Sequence, residues 1–554
     1  MSTQIELLEA EVKAAIGRAV KAGLLTLDTP ASITLDRPKN RDHGDYATSI
    51  ALALAKAAGK KPGEVAQIIS RELEGAAGVL RVEIAGPGFI NITLTRASQA
   101  ELVLTILKQA RDFGRTDALR GVRINLEFIS ANPTGPLHLG HTRWAAVGDA
   151  LGRVLTAAGA DVTREFYIND RGNQMDLFGA SVEAAALGNP IPEDGYKGEY
   201  IADLAKEVVA SNPAITELAQ GARHEAFREA AYSLQLRDQQ RVLDNFGTHF
   251  DIWFSERSLH HQGAVEHGVE KLRRQGHVFQ AEGALWLRTS NFGDDKDRVL
   301  MKSDGSFTYF SSDTAYYINK RERGFDICIY MLGADHHGYV GRLKATAACT
   351  GDDPEYNIHV LIGQLVKIME GGQEVKLSKR AGTIITLEEL IEKTGVDAAR
   401  YTLIRYPVDT PMVIDIDILK RNTNENPVYY VQYAHARIAA VLRNAAELNI
   451  SVNLADFDPT QLTHDRENEL LGALAQYPRV VASAAQMRQP HRIARYLEEL
   501  AVTYHGFYAD CRVLPLGQEN PTPLHTARLL LCSSTKVVIA NALDLLGVSA
   551  PERM

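Results

Sequence analysis

The chain has 554 residues, 45% apolar and 23% charged, with a formal net charge of −9. That length exceeds what one hydrophobic core supports and predicts three or four globular domains. The acidic total argues against a protein that coats nucleic acid indiscriminately, although a locally basic face stays open. No apolar run approaches the roughly 18 residues of a membrane span. Cys328, Cys349, Cys511 and Cys532 lie scattered without CxxC spacing, so neither a disulfide framework nor a zinc site is expected. The opening MSTQIELLEAEVKAAIGRAV is amphipathic with mixed charge, unlike a secretion signal or a transit peptide, and the cytoplasm is the expected compartment.

Residues 1–117 read as a small α+β domain. Helical spacing runs from Ile5 to Ala22, with Leu7, Leu8, Val12, Ile16 and Val20 on one face. An HGDY turn precedes an Ala/Leu helix, and Pro62 stands where a first-turn proline opens the next one. RVEIAGP and GFINITL alternate around a Gly-Pro-Gly turn and predict a hairpin; RDFGRTDALRG has the polarity of a linker. Within 118–366 the pattern becomes α/β. VRINLEFIS is a strand, a helix follows from about Leu137 to Ala158, and DVTREFYIND is a second strand. Strand, helix, strand at this spacing is the mononucleotide-binding unit of a parallel sheet. A polar stretch over about 172–297 reads as an insertion, after which DICIYMLGA and IHVLIGQLV return to strand character. Residues 367–425 connect to a helical bundle over 426–554.

The junction FISANPTGPLHLGH carries the chemistry. A strand ends, the chain turns on Asn132-Pro133-Thr134-Gly135-Pro136, and a helix begins near His138. A helix N-terminus offers unpaired N–H groups and the positive end of the dipole, and so attracts phosphate. His138 and His141 share one face of that first turn, and Gly140 lets a flat group approach the backbone. Either histidine alone would read as a cap or a packing residue; the pair in this setting suits a nucleoside triphosphate. No GxxxxGK[ST] loop competes. Further on, GGQEVKLSKRAGT sets Lys376 and Lys379 around Leu377-Ser378, compact cations suited to a pyrophosphate leaving group, though two loop lysines alone would be ordinary surface.

HLGH and KLSK in this order resemble the HIGH and KMSKS signatures of class I aminoacyl-tRNA synthetases, with Leu377 in place of Met and Arg380 in place of the final Ser. Longer stretches are similar to arginyl-tRNA synthetases over nearly the whole chain: EFISANPTGPLHLGH, HGDYATSIALALAK, GVDAARYTLI, NPVYYVQYAHARI and LLGVSAPERM. The resemblance implies a Rossmann-like parallel-sheet catalytic domain with an insertion, an N-terminal α+β domain touching the tRNA elbow and a C-terminal all-α bundle holding the anticodon. It implies ATP-dependent ligation of arginine to its tRNA through arginyl-adenylate, releasing AMP and pyrophosphate. Magnesium comes with ATP, activation waits for bound tRNA, and the chain is a monomer.

By the same resemblance His138, His141, Lys376 and Lys379 are catalytic, Lys379 carrying most weight. Pro133, Thr134, Gly135, Gly140 and Ser378 join them around ATP. Glu127, Ser130, Asn132 and His141 hold the amino and carboxylate end of arginine, while Tyr309 and Asp313 face its guanidinium. Tyr429, Tyr430, Tyr433 and Arg437 are available to unpaired bases, with Arg443, Arg492, Arg495 and Arg512 as further basic candidates. Asp335, His336 and His337 stand where some relatives carry glutamine. Neighbours on a strand end point apart, so they read as pocket lining and no metal site is expected. Three other readings stay open at this stage: another class I synthetase, a small-molecule nucleotidyltransferase, and a catalytically silent RNA-binding paralogue.

Overall fold

The computed structural model describes residues 4–554 apart from 31, 39, 41–42, 376–384 and 451. In the N-terminal unit, helix Gln4–Lys21 buries Ile5, Leu8, Val12 and Ile16. Leu7, expected on that stripe, is 60% exposed, because it falls a hundred degrees off the row set by Leu8 and Val12. Pro62 is the first residue of helix Pro62–Leu73. Strands β1 (Tyr46–Thr48), β2 (Val79–Ala85) and β3 (Phe89–Leu94) form an antiparallel sheet of order β1-β3-β2, with the expected hairpin as β2–β3.

The stretch read as a polar linker is packed. Phe113 is buried, Asn541 donates to the carbonyls of Ala110 (2.8 Å) and Phe113 (3.0 Å), and the Thr116 and Leu119 amides donate to Ala157 and Ala158. Residues 110–119 therefore wedge the first unit against the helices that follow.

The central sheet begins with β4 (Arg123–Glu127), β5 (Asp161–Ile168) and β6 (Ile252–Ser255). A separate meander, β7 (Val278–Ala281), β8 (Ala284–Leu287) and β9 (Arg298–Met301), precedes β10 (Ile327–Gly333) and β11 (Ile358–Gly363). The order is β11-β10-β4-β5-β6, all parallel. The single insertion expected over 172–297 is corrected to two, because β6 returns to the sheet between them. The first is a three-helix unit, Asn173–Ala186, Glu199–Ser211 and Gln220–Asn245, with its own core around Phe178, Ile201 and Phe227. The second is helix Ala264–Arg274 with the meander. Strand β6 escapes a sequence reading because it has four residues, all half-buried.

Helix Leu139–Ala157 connects β4 to β5 and is buried over most of its length. Its Gly148 lies against the Phe128 ring, where a Cβ would come within 2.3 Å. After β11 the chain forms β12 (Val366–Glu370), β13 (Gln373–Glu374) and β14 (Met412–Asp415), ordered β13-β12-β14. The bundle comprises Pro427–Glu447, Asp465–Ala475, Tyr477–Gln486, His491–Asp510 and Pro523–Leu545. It is joined to the sheet domain by Arg400, which is fully buried. The guanidinium donates to Asp149 of helix Leu139–Ala157 (2.6 Å), to the Leu546 carbonyl (3.0 and 3.1 Å) and to the Phe246 carbonyl (2.9 Å). All four cysteines are buried and free. Among the described residues no helix is long and apolar enough to cross a membrane.

Candidate active site

At the carboxyl ends of β4, β5 and β10, where a parallel sheet with a strand-order reversal leaves its crevice, lies a cavity of about 1050 Å³. Its floor is made where β4 ends. Ile129 (φ 68°) and Ser130 (φ 47°) adopt left-handed backbone without being glycine, a strain of roughly 1–3 kcal/mol each. The turn brings the Ser130 hydroxyl onto Glu127 (3.0 Å). The other oxygen of Glu127 accepts from Lys320 at 2.5 Å, and the Lys320 ammonium lies 3.9 Å and 4.3 Å from the ring centroids of Tyr330 and Tyr316. Such a buried pair holds its geometry because either charge alone would be stranded in low dielectric. Asn132 accepts from Asn169 (2.8 Å) and donates to Gln174 (2.6 Å).

Pro133, Thr134 and Gly135 do not line the cavity. Buried carbonyls need donors, and here the first insertion provides them: Tyr200 donates to Thr134 O (3.1 Å), and Gln239 to Gly135 O (2.8 Å) and Asn132 O (3.1 Å).

His138 is the N-cap of its helix and His141 the third helical residue. His138 Nδ1 accepts from the Gly140 amide (3.1 Å), and His141 Nδ1 accepts from the His138 amide (3.4 Å); the rings stand 4.0 Å apart. Capping and phosphate binding are thus not alternatives. An accepting Nδ1 puts the proton of the neutral ring on Nε2, which makes each Nε2 a donor. Both rings and Gly140 line the cavity. Lys376, Ser378 and Lys379 lie outside the described residues. The segment is described again at Ile385, and there it meets the histidine turn: the Leu139 amide donates to Ile385 O (3.1 Å), and the Leu387 amide to Leu137 O (2.9 Å).

Arg143, also on the wall, donates to the carbonyls of Pro407 (2.7 Å), Thr410 (2.9 Å) and Gln364 (3.3 Å). Burial draws its pKa down to about 10. It ties the histidine helix to the approaches of β12 and β14.

Asp313 reaches the cavity and accepts from the Tyr339 hydroxyl; burial pushes its carboxyl up to about 6. Tyr309, one turn earlier on helix Tyr309–Glu322, is 82% exposed and not on the wall. Asp335 and His336 line the cavity from a 3₁₀ turn, Ala334–Tyr339, and His337 does not. Two groups escape the sequence reading. Lys320 belongs to a buried polar row, Asp313, Tyr316 and Lys320, whose i, i+3, i+7 spacing was a readable signal. Glu256 opens the short helix Glu256–His261 and gave no signal; it is not on the cavity wall, but its charge is felt with that of Asp313, which is. It is buried, among the described residues its carboxylate has no hydrogen-bond or ion-pair partner, and burial followed by the nearby Asp170 pushes it up to about 7.

On the bundle, Tyr429 and Tyr433 stack in parallel (6.1 Å, 9°), and Arg437 lies over Tyr433 (5.4 Å) and Tyr508 (4.6 Å). Tyr430 turns toward His505 (5.2 Å). Arg443, Arg492, Arg495 and Arg512 are each engaged locally, by Glu552 O, Gln489, Glu499 and Glu519.

The chain matches three family models in tandem: "Arginyl tRNA synthetase N terminal domain" over residues 6–94, "tRNA synthetases class I (R), catalytic domain" over 103–434, and "DALR anticodon binding domain" over 431–554. It is 54% identical over 552 residues to the arginine--tRNA ligase of Frankia alni, covering 100% of both chains. It is 54% identical over 550 residues to that of Kineococcus radiotolerans, covering 99% of both. The arginyl-tRNA synthetase structure from Thermus thermophilus shares its fold with a TM-score of 0.75 at 23% identity, over 99% of this chain and 100% of that one.

Proposed function

The chain belongs to the arginine--tRNA ligase family, and from that premise we propose how its cavity charges tRNA with arginine. Arginine's carboxylate attacks the α-phosphorus of ATP, pyrophosphate leaves, and the terminal ribose hydroxyl of the tRNA captures the arginyl group from AMP. No side-chain nucleophile is required; position and charge do the chemistry. Glu127, fixed by Lys320 and Ser130, receives the α-ammonium, and Asn132 orients the carboxylate. Asp313 and Glu256 take the guanidinium, a planar cation that suits two carboxylates. His138 and His141 donate from Nε2 to the phosphates as charge builds, and Lys379, assisted by Lys376, meets the β and γ groups.

The observation that carries this reading is the double cap at His138 and His141, which turns both donor nitrogens to Nε2 beside the cavity. The backbone bond from Leu139 to Ile385 supports the lysines' part, since Ile385 follows Lys379 by six residues. Magnesium enters with the triphosphate; among the described residues no group of three His, Cys, Asp or Glu side chains is arranged to hold a metal ion. In this reading the chain works as a monomer in the cytoplasm, with activation waiting for tRNA, whose anticodon meets the Tyr429–Tyr433 face.

ATP–pyrophosphate exchange tests it. Exchange appears with arginine once arginine-accepting tRNA is added and is competed by canavanine. Exchange driven by lysine, or none with arginine and tRNA together, overturns it.

A further inference from the structure

Two carboxylates near the cavity lack an ion pair. Glu127 is paired with Lys320, Asp335 lies 3.4 Å from His336, Glu165 is paired with Arg323 (2.6 Å), and Asp170 with the Arg257 amide (3.0 Å) and guanidinium (3.9 Å). Among the described residues, Glu256 and Asp313 have no cation within ion-pair distance. Arg342 and His336 act on Asp313 from further off, and one bound guanidinium shared with Asp313 would leave Glu256 short of positive charge.

A second guanidinium stands beside them. The turn Asp170-Arg171-Gly172 sends Asp170 inward and Arg171 outward, with Gly172 at φ 89°, a conformation that favours glycine. Arg171 donates to His260 Nε2 at 2.9 Å, and Ser312 Oγ lies 3.2 Å from the same nitrogen. His260 is one turn after Glu256 on helix Glu256–His261, and Ser312 precedes Asp313. The shared imidazole therefore holds Arg171 on the side of Glu256, where its charge acts on that carboxylate. Among the described residues Arg171 has no carboxylate of its own. A ring accepting from a guanidinium must be neutral at that nitrogen, and burial with the positive Arg171 holds His260 below its usual range.

We propose that Arg171, steered by His260, is a positioning residue that supplies positive charge beside Glu256 in the guanidinium pocket, so that Glu256 as well as Asp313 is ionised when one arginine is bound. This rests on the assignment of those two carboxylates to the substrate guanidinium. The groups facing Glu256 are Tyr167, Asp170 and Arg171 from the end of β5, Asp313 from helix Tyr309–Glu322, and Arg257 and His260 from its own helix. His260 also feels Glu266 and His261, and Asp313 is faced by Tyr339, Glu127, Arg342 and His336. Of the cations, Arg257 is committed to Asp170 and Glu229, which leaves Arg171 to act on Glu256.

The test is the KM for arginine in tRNA charging by the full chain, followed between about pH 5.5 and 8.5 for the wild type, Arg171→Ala, Arg171→Lys and Glu256→Gln. KM rises as pH falls and the carboxylates protonate. In Arg171→Ala the rise begins about half a pH unit higher, a roughly threefold larger KM on the acid limb, and lysine at 171 restores the wild-type profile. A merely structural role for Arg171 would not move the midpoint. Superimposable profiles for Arg171→Ala and wild type, with Glu256→Gln raising KM, overturn the role of Arg171 and leave the pocket assignment standing. A lower KM for Arg171→Ala at every pH also overturns it, by making Arg171 a competitor of the substrate. An unchanged KM in Glu256→Gln removes the pocket assignment itself.

Discussion

His138 shows how one side chain serves structure and chemistry through different atoms. Its Nδ1 closes the cap while the ring lines the cavity, so a serine, which caps as well but is too short to place a donor where Nε2 stands, separates the two roles. His138→Ser should keep the wild-type melting temperature while adenylate formation falls. His141→Ala and Lys379→Ala should each cost about 2–4 kcal/mol in that step, the range of a lost transition-state donor. Single-turnover activation measures it, and a wild-type rate in either variant removes that residue from the mechanism. Protonation gives a second prediction. Asp313 and Glu256 are raised to about 6 and about 7, so the folded chain holds protons there that the unfolded chain releases near pH 4. Between those limits the empty protein loses stability as pH rises, while arginine, which needs both carboxylates ionised, binds better. The increase in melting temperature produced by arginine should therefore grow from about pH 5.5 to pH 8; a flat or declining increment contradicts the assignment. That His138 and His141 would stand together on a ligand-facing turn was legible because they sit in a local pattern with its own meaning, while Asp313, which also reaches the cavity, was named through the resemblance. Glu256 was not legible, since what marks it out is a neighbour on another helix.

The elements divide by length and by company. Strands β4, β5, β10 and β11 and the β2–β3 hairpin could be read because apolar runs and turn residues bounded them. Strand β6 could not, and its omission merged two insertions into one. Pro133, Thr134 and Gly135 illustrate the same limit: a Pro-Gly turn predicts where the chain bends, not which neighbour its carbonyls will satisfy. On helix Pro427–Glu447 the tyrosines at 429 and 433 are one turn apart with parallel rings, and Tyr433 is 37% exposed, a platform for an unpaired base. Tyr433→Ala should weaken tRNA binding by about 1–3 kcal/mol, read by direct titration of the full chain with tRNA. Unaltered affinity would return these rings to simple helix packing.

At the scale of the molecule, the order of α+β unit, sheet domain and bundle was visible in the changing periodicity. The joints were not. Residues 110–119 carry the polarity of a linker yet serve as a packed wedge, because the Phe113 ring meets Tyr477 and two backbone carbonyls accept from Asn541 on the final helix. Arg400 gave no signal either, although it meets three parts of the chain at once. Arg400→Met would leave Asp149 buried with a weakened set of partners and should destabilise the whole protein by about 3–5 kcal/mol in chemical denaturation, with activity lost alongside. A small loss confined to the bundle would contradict a shared joint.

That joint also sets a schedule for synthesis. Asp149 emerges from the ribosome about 400 residues before Leu546, a wait of roughly 20–80 s at ordinary elongation rates. Through that interval the helix that carries the two histidines lacks its complete clamp. A nascent chain can seat that helix fully only after the last helix of the bundle has been made, so the end of synthesis, not its middle, locks the wall of the cavity.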